Sequence, residues 1–188
     1  MRFLRGEDDA YTALYTRYSA RLLGYIRSIV GAGESAADDV FQESFVRLFR
    51  ERDRHGRGES QEPIRNVGGW LFRVSRNLAL NHIRSQNYLT ALPASYDEHL
   101  MVTVEEAHAD LFGSSLSEDM LMQSVHAVVE TLPAGLREVF ILREVNGMSY
   151  EETADIVGCS EEAARMRLSR ARSAIRRALE SLFIENQE

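Results

Sequence analysis

The chain has 188 residues, 44% hydrophobic and 27% charged, enough for one ordinary domain or two small ones. It has no apolar run of about 18 residues, a charged start (MRFLRGEDDAY) with no apolar signal core, and a single cysteine, Cys159. These features argue against membrane insertion, a secretory leader, an internal disulfide and a Cys-rich zinc site, so a cytoplasmic protein is expected.

Net charge is −7, at first unfavourable for a nucleic-acid partner, but its distribution is uneven. Residues 1–84 hold 14 Arg against 11 acids, residues 85–136 hold 8 acids and no basic residue, and residues 137–188 hold 8 Arg against 10 acids. The acidity therefore gathers in the middle, leaving basic surface available at either end. All 22 basic residues are Arg, each a planar fork suited to phosphate and base contacts.

In chain order, Leu14, Tyr18, Leu22, Tyr25, Ile26 and Ile29 repeat at three and four, predicting a helix over 8–30 that Gly31-Ala32-Gly33 ends. A second helix is predicted from about Ser35 to Asp53, with Val40, Phe41, Phe45, Leu48 and Phe49 on its apolar side. Asp38, Asp39, Gln42 and Glu43 gather on its N-terminal half. They read either as dipole-matched charges on a solvated face or as an acidic dock for a basic partner.

His55–Asn66 is a polar loop with two Gly and a Pro. A third helix is predicted over Val67–Gln86, with Trp70, Leu71, Val74, Leu78 and Ile83 as its buried stripe. Arg73, Arg76, Asn77, Asn81 and Arg84 decorate the rest. That interleaving suits a nucleic-acid strand, and equally the outer face of a soluble helix. Residues 88–118 lose helical periodicity and read as an acidic linker, with room for a short helix near 103–112. His99, Glu105, Glu106 and His108 match no metal-ligand spacing, so no metal or other cofactor is expected.

Helicity resumes with Met120, Leu121, Val125, Val128 and Val129, up to Leu132-Pro133, and again over Arg137–Val145. Ser149–Leu179 then reads as two helices joined by a tight turn. Ser149 and Glu152 form a capping box, Gly158 supplies a left-handed cap, and Ser160 caps a second helix whose first turn holds Glu161 and Glu162. At about 100° per residue, Ala164, Leu168, Ala171, Ile175 and Leu179 fall on one stripe. Glu162, Met166, Ser169 and Ser173 lie opposite, flanked by Arg165, Arg172 and Arg176 on one side and by Arg167 and Arg170 on the other. A solvated Arg-rich helix would explain the arginines alone. The capped short helix, the Gly turn and the basic helix together favour a helix-turn-helix whose second helix enters the major groove. There Ser160, Glu162, Arg165, Met166, Arg167, Ser169, Arg170 and Arg172 are the candidate contacts. Cys159 sits in the turn, either as a small packed residue or with a redox role.

The fold expected is all-α: two small helical domains, 1–87 and 119–188, joined by a flexible acidic linker, 88–118. No strand and no further C-terminal module are expected.

These motifs, in this order, resemble bacterial sigma factors of the sigma-70 family, extracytoplasmic-function (ECF) type, over about residues 6–183. Glu7–Leu23 is similar to their opening helix, Ala36–Arg50 to the region-two segment that docks on core RNA polymerase, Trp70–Arg84 to the segment that meets the −10 element, and Leu132–Leu179 to region four, which reads the −35 element. The resemblance implies a promoter-specificity subunit without catalysis of its own. Asp38, Asp39, Gln42 and Glu43 would bind core RNA polymerase. The loop and Arg73, Arg76, Asn77, Asn81 and Arg84 would hold the melted −10 strand, and the helix-turn-helix would hold −35 duplex. It further implies an anti-sigma factor as partner, no small-molecule substrate, and a linker threading toward the polymerase active centre. The recognition helix departs from the family's common Gly-Thr-Val-Lys-Ser-Arg run: Glu162–Arg167 reads EAARMR, so promoter preference does not transfer. The competing reading is an autonomous helix-turn-helix regulator that binds duplex without polymerase. An enzyme is disfavoured, since no nucleophile–base pair or Gly-rich phosphate loop appears.

Overall fold

The computed structural model describes residues 3, 8–31, 34–60, 64, 66–90 and 118–185. They form seven α-helices and one π-helical segment, with no strand among the described residues. Three long helices come first: α1 (Asp8–Val30), α2 (Glu34–Gly56) and α3 (Val67–Thr90). Each buries one stripe, as a three-to-four apolar spacing requires. Leu22, Tyr25 and Ile26 from α1, Val40, Phe45 and Leu48 from α2, and Leu71, Phe72 and Ala79 from α3 make their common core. Trp70 is half-buried and packs against that core rather than inside it.

The α2–α3 contact contains two buried serines whose hydroxyls are both satisfied. Ser75 Oγ donates to Ser44 Oγ (2.7 Å), which in turn donates to the Val40 carbonyl (2.7 Å). An aromatic ladder runs along α1 and α2 through Phe49, Tyr11, Phe45, Tyr15 and Phe41, with neighbouring centroids 4.8–6.3 Å apart, a spacing at which rings attract beyond their burial.

The second unit comprises α4 (Glu118–Thr131), α5 (Ala134–Phe140), the π-helical segment Ile141–Val145, α6 (Tyr150–Val157) and α7 (Glu161–Glu185). Val128, Val129, Val139, Leu142, Ile156, Leu168 and Ala171 fill its core.

Three boundaries differ from the periodicity. The helix α3 runs on to Thr90, past the expected linker start at 88. The helix α2 runs to Gly56, taking in the first residues of the expected loop. The helix expected over 137–145 begins at Ala134 and changes to π-geometry at Ile141. At its end the Asn146 backbone N–H (2.9 Å) and Nδ2 (3.0 Å) both donate to the Ile141 carbonyl. The helix suggested near 103–112, and His99, Glu105, Glu106 and His108, lie outside the described residues.

The two units pack directly on each other, α3 along α6 and α1 against α5.

Candidate nucleic-acid interface

The turn between α6 and α7 is built as its residues dictate. Ser149 Oγ accepts from the Glu152 N–H (3.0 Å) while the Glu152 carboxylate accepts from the Ser149 N–H (2.7 Å), closing the capping box. Gly158 adopts φ +76° and donates to the Ala154 carbonyl (2.8 Å). Ser160 Oγ accepts from the Ala163 N–H (3.1 Å), capping α7. Cys159 is a free, half-buried thiol in this turn.

With Ala164, Leu168, Ala171 and Ile175 buried, the opposite side of α7 faces outward. Glu162, Arg165, Ser169, Arg170 and Arg172 are exposed, Met166 is 51% exposed, and Arg167 is half-buried. Two of these arginines are already engaged. Arg165 pairs with Glu161 (2.9 Å) and lies over the Tyr150 ring (4.7 Å to the centroid); Arg172 pairs with Glu144 (2.7 Å). Arg143 covers Tyr150 as well, at 4.0 Å. Among the described residues Arg167 and Arg170 carry no ion pair. The result is an outward helix with cations on both flanks and an uncharged centre at Met166 and Ser169, a shape suited to a major groove.

On α3, Arg73, Asn77, Asn81 and Arg84 share one side, and the last three are exposed. Arg76 lies at the edge of that side and turns toward the second unit. Its guanidinium forks onto the Glu138 carboxylate (2.7 and 3.2 Å), with Arg76 16% and Glu138 4% exposed as side chains. Tyr25 Oη donates to the same carboxylate (2.8 Å). Further out, Arg73 meets Asp155 (3.2 Å) and Asn66 Nδ2 donates to Glu152 (2.5 Å). Arg21 donates to the side-chain oxygen of Asn146 (3.2 Å) and to its backbone carbonyl. The units thus meet through a polar seam that periodicity does not reveal. Its one sequence signal is Glu138, an acid set into the apolar run around Val139 and Leu142.

On α2, Asp38, Asp39 and Gln42 are exposed and Glu43 is half-buried. Val46, 41% exposed, sits among them one turn on, and charge patterning does not single it out. Asp38 approaches Arg27 at 4.0 Å. Glu43 accepts a hydrogen bond from Arg47 (2.9 Å) with Arg50 at 3.7 Å. The Arg47 hydrogen bond, above all, holds the Glu43 carboxyl below its ordinary value. Among the described residues no cluster of His, Cys, Asp or Glu could hold a metal ion, and no helix is long and apolar enough to cross a membrane.

Comparison with known proteins gives the same two units. Residues 14–88 match the family model for Sigma-70 region 2, and residues 122–175 that for Sigma-70, region 4. The chain is 31% identical to the RNA polymerase sigma-H factor of Pseudomonas aeruginosa, covering 98% of this chain and 93% of that protein. It is 32% identical to the ECF RNA polymerase sigma-E factor of Escherichia coli, covering 97% and 93%. Two solved structures share the fold at 24% identity. One is the sigma factor RpoE in complex with the anti-sigma factor NepR from Bartonella quintana (TM-score 0.65, covering 93% of this chain and 98% of that chain). The other is CnrH in complex with the cytosolic domain of CnrY (TM-score 0.59, covering 95% and 92%).

Proposed function

The chain belongs to the sigma-70 family and is a sigma factor of the extracytoplasmic-function type, and from that premise we propose that it binds core RNA polymerase through α2, reads −35 duplex with α7, and holds the melted −10 strand along α3. The polymerase performs the chemistry; the sigma factor adds placement. What carries the reading is the pair of family matches, region two then region four, on a chain aligned over nearly its whole length with other sigma factors.

The residue assignments follow from the faces described. Asp38, Asp39, Gln42 and Glu43 form the polymerase dock, with Val46 as its apolar centre. Ser160, Glu162, Arg165, Met166, Arg167, Ser169, Arg170 and Arg172 form the −35 surface. Its flanking arginines take phosphates, and Arg165 and Arg172 exchange a carboxylate for one on binding. Arg73, Arg76, Asn77, Asn81 and Arg84 hold the −10 strand. On this reading the functional units are 1–87 and 119–188, joined by 88–118. An anti-sigma factor is the partner proposed on family grounds, and the cytoplasm is the proposed location.

Run-off transcription with purified core polymerase on fragments of the source genome tests this. Promoter-specific transcripts are expected only when the protein is added. Their absence, together with tight duplex binding by the protein alone, would instead establish an autonomous helix-turn-helix regulator.

A further inference from the structure

Among the described residues the exposed large apolar side chains are those of Tyr15, Val46, Val145 and Met166, and of these only Met166 lies on α7. A single exposed methionine carries no meaning by itself. Its surroundings do.

Glu162, one turn before Met166 on the same stripe, is exposed and has no ion pair among the described residues. A carboxylate there repels backbone phosphates, so this stripe turns toward base edges, where a carboxylate can accept from a cytosine amino group. Ser169, one turn after Met166, is exposed and uncharged. Arg165 is held to one side by Glu161 (2.9 Å) and by the Tyr150 ring of α6 (4.7 Å to the centroid). The cations that suit phosphates thus stand at the flanks, and Met166 stands over the floor of the groove.

That floor offers hydrogen-bond donors and acceptors and one methyl group, the 5-methyl of thymine. A methionine donates nothing and its sulfur is a weak acceptor. Against the polar edge of another base it would displace water without replacing its hydrogen bonds. Against the thymine methyl, both surfaces leave water and gain by it. The unbranched side chain, with three rotatable bonds, can reach that methyl without a rigid fit. The Gly-Thr-Val-Lys-Ser-Arg run common in the family has Ser at this position, and a hydroxyl bonds to several bases alike. Met166 exchanges that tolerance for an apolar preference.

We propose that Met166 is a specificity-determining residue of the −35 surface. It buries its side chain against the 5-methyl group of a thymine, so the −35 element of this protein's promoters holds a T·A pair beneath it. The proposal rests on the assignment of α7 to the −35 duplex.

The test uses holoenzyme assembled from core polymerase and the full chain, with the strongest promoter found by run-off transcription. Each thymine of the −35 region, on either strand, is replaced singly by uracil, which keeps the base pairing and removes only the methyl. Competition binding reads the affinity for each duplex. The expected result is one position at which uracil weakens wild-type binding about fourfold, the value for one methyl-sized group left unburied. Met166→Ser should lose a similar factor on the unmodified promoter and nothing more when uracil stands at that position. Met166→Leu should keep the sensitivity to the methyl. Substitutions at this exposed side chain leave the fold in place.

A −35 element without thymine would overturn the proposal, as would uracil effects equal in wild type and Met166→Ser. So would a loss in Met166→Ser that uracil reproduces at no position, which would assign Met166 to a protein partner instead. Absence of promoter-specific transcripts from the wild type would sink the sigma-factor reading itself, a result distinct from each of these.

Discussion

Gly158 shows how much of the α6–α7 turn depends on one backbone angle. At φ +76° a side chain is strained even where space is free, and a Cβ there would meet nothing within 4 Å. Gly158→Ala should therefore cost about 1–2 kcal/mol of stability, all of it conformational, measurable by chemical denaturation. Glu43 gives a second residue-level prediction. Its carboxyl is held down chiefly by the Arg47 hydrogen bond, so its folded value lies below its unfolded one. The stabilisation is thus present above the unfolded value and is lost as pH falls through the folded one. Carbon-detected NMR titration should place the Glu43 midpoint below 4.5, the ordinary value, and Arg47→Ala should raise it.

Among the helices, α7 and α2 each divide into a buried stripe and an outward face. Arg165→Ala and Arg167→Ala should each weaken −35 duplex binding, by about 1–3 kcal/mol if the side chain forks onto a base. Unchanged promoter binding in both would remove α7 as the reading helix. On α2, reversing Asp39 and Glu43 to Arg should abolish capture of core polymerase while leaving duplex binding by the full chain intact, as a pull-down beside a gel shift would show. The helices and their faces are legible in the sequence because a 3.6-residue period repeats over many turns: spacing alone puts Ala164, Leu168, Ala171 and Ile175 in the core, and they are buried. The π-helical segment is not legible. One residue of extra winding leaves the apolar spacing around Val139 and Leu142 nearly unchanged, and Asn146, whose side chain bonds back to Ile141, reads in the sequence only as a turn residue.

Across the whole molecule, the packing of one unit on the other is beyond the sequence for a related reason. The seam is polar, and Arg21, Asn66, Arg73 and Arg76 read as ordinary outer positions until Asn146, Glu152, Asp155 and Glu138 are brought opposite them. Units joined this way should unfold together. Calorimetry of the wild type at low salt is expected to show one transition, and Glu138→Gln should split it into two.

Trp70 turns this architecture into something observable. It is the chain's only tryptophan, it sits half-buried on α3, and its backbone N–H donates to the carbonyl of Asn66 (3.0 Å). Asn66 is the residue that reaches across to Glu152. Residue 70 thus lies one helical turn from Asn66 and one from Arg73, the two seam residues that flank it in the chain. Its emission gives the protein a native optical readout, needing no attached dye, of what lies against α3 at each stage from free chain to promoter complex.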